Sequence, residues 1–153
     1  MKSSPTTHPE RGAAILEGTL ILLAVFAVVF SIWEAGRLMN VQQCVTNGAR
    51  EGARYAVAPL AQNLCTETTR TTCMPSDDQI RTRVNIYLQA ASISGATITI
   101  NDGGGKDTPV AINGIQYTKV NVTVAYSFLS LPLLNNLTAT LHGVALMRNE
   151  TSP

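Results

Sequence analysis

Charge is scarce in this sequence. Of 153 residues only 14% are Asp, Glu, Lys or Arg, and the formal net charge is +1. A nucleic-acid binder needs a dense Lys/Arg patch to displace counterions from phosphates, so that class is not expected. Histidine is scarcer still. His8 and His142 stand far apart, which leaves no cluster for a metal and no base beside a nucleophile. The reading is therefore of no enzyme, no catalytic residue, no metal and no cofactor. The run Asn101-Asp102-Gly103-Gly104-Gly105-Lys106-Asp107 invites comparison with a phosphate loop. It fails, because Ile100 stands where that motif needs its first Gly and Asp107 where it needs Ser or Thr. A calcium loop built on Asp102 and Asp107 is a weak alternative to a flexible hairpin loop.

Apolar residues are plentiful and unevenly spread. They make up 45% of the chain, enough to exclude intrinsic disorder. Seventeen of the 21 residues from Ala13 to Trp33 are hydrophobic, and Gly18 to Trp33 (GTLILLAVFAVVFSIW) carries no charge. About 20 apolar residues suffice to cross a bilayer core as a helix. Buried helices of water-soluble domains seldom run so long without a polar face. Residues 13–33 are therefore expected to span a membrane. Lys2 and Arg11 precede the span with only Glu10 opposing them, which places the N-terminus in the cytoplasm and the rest outside. A secretory signal fits poorly, since the run is long and Ile32-Trp33-Glu34-Ala35-Gly36-Arg37 offers no small-residue cleavage pattern.

Glu17 is the exception within the span. A carboxylate there costs about 2–3 kcal/mol at the centre of a bilayer and less near its surface, so it needs a purpose or a headgroup location. No Lys or Arg lies within the span, and an α-amino group created by proteolysis nearby would serve as its partner. The segment Arg11-Gly12-Ala13-Ala14-Ile15-Leu16-Glu17 has a basic leader, a Gly before a possible scissile bond and a Glu five residues beyond it. Downstream stand Gly36-Arg37-Leu38, Val41-Gln42-Gln43 and Thr46-Asn47-Gly48-Ala49-Arg50-Glu51-Gly52-Ala53-Arg54-Tyr55-Ala56, and near the end Ala145-Leu146-Met147-Arg148-Asn149-Glu150.

These stretches resemble TadE-like proteins, the pseudopilins of tight-adherence (Tad or Flp) pilus systems. The resemblance covers about residues 11–57, with 145–150 as a short tag. It implies a minor pilin held in a bacterial inner membrane with a periplasmic C-terminal domain. Its implied partners are a prepilin peptidase, other pilins or pseudopilins of the system and an inner-membrane platform. Cleavage between Gly12 and Ala13 would remove residues 1–12 as a leader. Glu17 would then meet the new amino group of Ala13 during assembly. Gly18 departs from the aromatic that Flp-type prepilins usually place after the Glu.

Helical spacing continues to about Val57 through Leu38, Val41, Val45, Ala49 and Ala56, and Pro59 supplies a stop. Residues 34–57 therefore read as a continuation of the first helix. Gly48, Gly52 and Ala56 form a stripe four residues apart. Glycine costs a helix about 1 kcal/mol relative to Ala, so the stripe implies close approach of another element. Either the protein's own sheet or a neighbouring subunit's helix could provide it.

Residues 58–153 read as a periplasmic domain. Cys65 and Cys73 are expected to close a short disulfide loop, which outside the cytoplasm is stable. Cys44 is left as a small apolar residue of the helix. Ser76-Asp77-Asp78-Gln79 is a capping box, and Ile80, Val84, Leu88 and Ala91 share one face of a helix from Asp77 to about Ala91. Strands are expected at 96–100 and 117–128, with a hairpin turn at Asn113-Gly114 and a last alternating strand from Leu137 to Met147. The fold class is α+β and pilin-like: a long helix, its first half in the membrane, on a small antiparallel sheet with one further short helix. The competing functional reading is an uncleaved, signal-anchored periplasmic scaffold or binding module outside any filament.

Overall fold

The computed structural model describes residues 9–58, 73–128 and 138–149, with side chains from Gly12 onward. Its elements run α1 (Pro9–Val57), α2 (Asp77–Ala90), β1 (Thr97–Ile100), β2 (Val110–Ile112), β3 (Ile115–Ser127) and β4 (Thr138–Arg148). The arrangement is α+β. The chain divides into two compact units, Met1–Arg37 and Leu38–Pro153.

The first unit contains the apolar part of α1. The helix begins at Pro9, four residues before Ala13, where the span was expected to begin. Proline suits a first helical turn, where its missing N–H has no intrahelical acceptor to lose. From Gly12 through Val29 every residue is exposed, including Ile15, Leu16, the run Leu20 to Leu23, Val25 and Phe26. The 18-residue window that marks this helix as long and apolar enough to cross a membrane is 0% buried.

The second unit has a conventional core. The end of α1 turns Val45, Ala49, Ala53 and Ala56 inward, and α2 turns Ile80, Val84 and Leu88 toward them. The sheet supplies Ile98 and Ile100 from β1 and Val120, Val122 and Val124 from β3. Full burial of side chains such as Ile80, Leu88 and Ile100 contributes about 1.5–3 kcal/mol each. α2 opens with both halves of its capping box formed. Gln79 N donates to Ser76 Oγ at 3.3 Å, and Ser76 N donates to Gln79 Oε1 at 2.9 Å.

Every strand pairing is antiparallel, and β3 is the centre of the sheet. β1 and β2 follow one another along one side of it, pairing Ile100 with Val120 and Val110 with Tyr117. β4 runs along the other side from Tyr117↔Arg148 to Ser127↔Thr138. Asn113 and Gly114 take φ of 52° and 81°, the left-handed pair that a tight hairpin turn requires. The hairpin zips down to this turn, so β3 starts at Ile115, two residues before the expected Tyr117.

Candidate functional site

The first unit presents an apolar cylinder with one acid near its start. Its hydroxyls are satisfied within the helix: Thr19 Oγ1 donates to Ile15 O at 2.8 Å and Ser31 Oγ to Ala27 O at 2.7 Å. Glu17 is exposed and has no hydrogen-bond or ionic partner among the described residues. At the far end of the cylinder, Phe30 and Trp33 meet at 5.6 Å between centroids, and the Arg37 guanidinium lies 5.8 Å over the Trp33 ring. Arg37 Nη2 also pairs with Glu34 Oε1 at 3.3 Å. An aromatic and ionic cluster of this kind suits the boundary between hydrocarbon and water. Between Glu17 and Glu34 lie 16 uncharged residues, about 24 Å of helix at 1.5 Å per residue. Gly12 and Ala13, the expected cleavage pair, are exposed and lie inside the helix rather than ahead of it. A Cβ at Gly12 or at Gly18 would meet nothing within 4 Å.

In the second unit the stripe Gly48, Gly52 and Ala56 is buried. A Cβ at Gly48 would lie 3.2 Å from Leu88 Cδ2 and 3.5 Å from Tyr87 Cδ1. One at Gly52 would overlap Val84 Cγ2 and lie 3.3 Å from Val120 Cγ1. These glycines thus seat α2 first, with the sheet touching through Val120. The close approach of the sheet is carried by Gly143 of β4 instead. A Cβ there would stand 2.6 Å from Val45 O and 2.9 Å from Thr46 Cα, so strand and helix backbones are in contact. A glycine within an alternating strand was the available sequence signal for this, since Gly in a strand often marks close backbone approach.

Cys73 is disulfide-bonded and buried, and Cys44 is free and half-buried. Cys65, the expected partner of Cys73, lies outside the described residues. The glycine-rich segment after β1 is an ordered turn organised by Asn101. Its buried side chain donates to Gly105 O at 2.8 Å and accepts from Lys119 N at 2.7 Å. Asp102 is held by Lys119 Nζ at 2.7 Å, and Asp77 Oδ1 accepts from Lys106 N at 2.9 Å. Asp77 therefore ties this turn to the start of α2 as well as sitting in its first turn. No group of three or more His, Cys, Asp or Glu placed to hold a metal occurs among the described residues. His142 meets Thr123 Oγ1 at 3.2 Å on the exposed face of the sheet.

Compared with known families, residues 12–54 match the model described as TadE-like protein. The matched stretch contains Glu17, the apolar cylinder, Gly48 and Gly52. No curated protein and no solved structure matches the chain.

Proposed function

We propose that this chain, whose first helix carries a TadE-like segment, is a minor pilin or pseudopilin that primes or joins assembly of a tight-adherence (Flp-type) pilus. The observation that carries the reading is the coincidence of that match with an apolar helix surface bearing the exposed carboxylate of Glu17, which has no partner among the described residues. On this reading residues 13–33 lie in the bacterial inner membrane, the leader faces the cytoplasm and residues 58–153 are periplasmic. A prepilin peptidase cuts between Gly12 and Ala13. The ammonium of Ala13 then neutralises Glu17, in its own chain or a neighbour's, where hydrocarbon makes an isolated charge costly. Other pilins of the system and a membrane platform are the partners this implies. Within the stripe of Gly48, Gly52 and Ala56, the two glycines serve the protein's own packing against α2.

A second reading has one observation in its favour: α1 is regular across Gly12–Ala13, and a peptidase must unwind a helix to reach the bond. On it the chain is an uncleaved anchor for a periplasmic scaffold. Mass spectrometry of the protein from pilus-competent cells separates the two. The leading reading expects an N-terminus at Ala13, and expects Glu17→Val to insert normally but reduce piliation at least tenfold. A chain keeping residues 1–12, with piliation unchanged in Glu17→Val, would overturn it.

A further inference from the structure

Strand β4 has one edge in the sheet and one edge outside it. The phase of its ladder follows from a single bond: Asn149 N donates to Gln116 O at 3.0 Å. Backbone groups alternate in direction along a strand, so the odd-numbered residues of β4 turn their N–H and C=O toward β3. The even-numbered residues, Thr138 to Arg148, turn theirs away. A second bond agrees with this phase, since Lys119 N points to the opposite side of β3 and reaches Asn101 Oδ1. Of the outward groups only His142 O has a partner among the described residues, Gln42 Nε2 at 2.8 Å. The rest form an eleven-residue edge with no Pro and no bulge to blunt it.

The surroundings of this edge are asymmetric. On the outer face the even-numbered side chains are exposed, with Val144 at 46% and Leu146 at 43%. On the inner face α1 touches β4 at Gly143 through Val45 and Thr46. Arg50 is one helical turn beyond Thr46 on the same flank. Gln42, Gln43, Thr46, Asn47 and Arg50 line an open cavity of about 340 Å³ there. Arg50 is exposed and carries no ion pair among the described residues.

We propose that β4 receives an extended segment of a partner protein, added as a further strand, whose residues alternate between apolar and acidic. Residues opposite Val144 and Leu146 would share their outer face and pack on them, since side chains directly across a pair lie side by side. The intervening residues would face α1, where Arg50 calls for a carboxylate. Main-chain bonds to the free edge supply affinity and the alternation supplies specificity. A second copy of this chain fits less well. Its own β4 would turn Ala139, Leu141, Gly143, Ala145 and Met147 toward Arg50, and none is acidic.

The test uses the full chain in detergent micelles and a nine-residue probe of alternating Val and Glu with Thr ends. Amide exchange is followed residue by residue. The probe is expected to protect the amides of His142, Val144 and Leu146 and to leave the odd-numbered amides of β4, already bonded to β3, unchanged. Val144→Pro removes an outward N–H that the fold does not use, and should weaken binding at least tenfold. Arg50→Glu, at an exposed helix position, should do the same and should recover with a probe carrying Lys in place of Glu. The proposal is overturned if the probe does not bind, if both variants bind it normally, or if protection appears between α1 and α2. It is equally overturned if the even-numbered amides are protected without the probe in a concentration-dependent way, which would mean that a second copy closes the edge.

Discussion

At the scale of single residues, three glycines of the second unit differ in what stands opposite them. Gly48 faces the end of a flexible leucine, Gly52 a stiff valine and Gly143 the backbone of a helix. Alanine gains about 1 kcal/mol over glycine inside a helix, which applies to Gly48 and Gly52 but not to Gly143. Gly48→Ala is therefore expected to stay within about 0.5 kcal/mol of the parent, because Leu88 can turn aside. Gly52→Ala should lose about 1–2 kcal/mol, because a β-branched Val84 has few rotamers to retreat into. Gly143→Ala should cost about 3 kcal/mol, the upper range for overpacking, because α1 itself must move. Urea midpoints of the three variants give the order directly, and Gly143→Ala ranking mildest would refute this account. Asn101 illustrates a different demand. It combines a φ of 47° with a buried side chain that bonds to Gly105 O and to Lys119 N. Asparagine tolerates that backbone region and supplies both a donor and an acceptor. Sequence spacing identified the glycine stripe but not its partner, since a stripe records close approach without saying which element approaches.

At the scale of elements, α2 was the most legible. Its capping residues, first-turn acids and inward face at Ile80, Val84 and Leu88 are all local signals, and local hydrogen bonds enforce them. Replacing Ser76 by Ala should cost about 1 kcal/mol, read as a drop in the thermal midpoint, because one orphan N–H at the helix start loses its acceptor. Gln79→Ala leaves the Ser76 Oγ bond in place and should cost less. Equal losses would mean that the two halves of the box do not act separately. The ion pair between Arg83 and Glu51, at 2.9 Å, joins α2 to α1 but is half-exposed and adds little. β2 is the element that sequence implied through its hairpin turn but did not bound. Val110, Ala111 and Ile112 are too few to show a period, and they form a strand because the turn at Asn113-Gly114 lays them against Ile115, Gln116 and Tyr117. β4 was visible by alternation, but which of its backbone groups face outward depends on the register with β3.

At the scale of the whole molecule, the two compact units differ in what they bury: the first exposes an apolar helix long enough to cross a membrane, and the second encloses a core. Among the described residues, the buried core runs from Val45 to Ala145 and draws on none before Leu38. A chain starting at Leu38 is therefore expected to fold in water without detergent. Its cooperative melting transition should match that of the intact protein in micelles to within about 5 °C, a shift worth about 1 kcal/mol. A melt without a cooperative transition would show that the first 37 residues are needed for the fold. By itself the sequence determined the α+β class, the apolar helix with its acid at Glu17, and most of the strands. Hydrophobic period, capping and turn chemistry act over a few residues, so they can be read along the chain. Only the tertiary structure decided that Gly48 and Gly52 seat α2, that Gly143 brings strand and helix backbones together, and that Asn101 ties the glycine turn to Lys119 of β3. It also decided that the even-numbered edge of β4 faces away from the sheet. Each of these joins residues far apart in sequence, where packing and register, which no local pattern encodes, choose the neighbour.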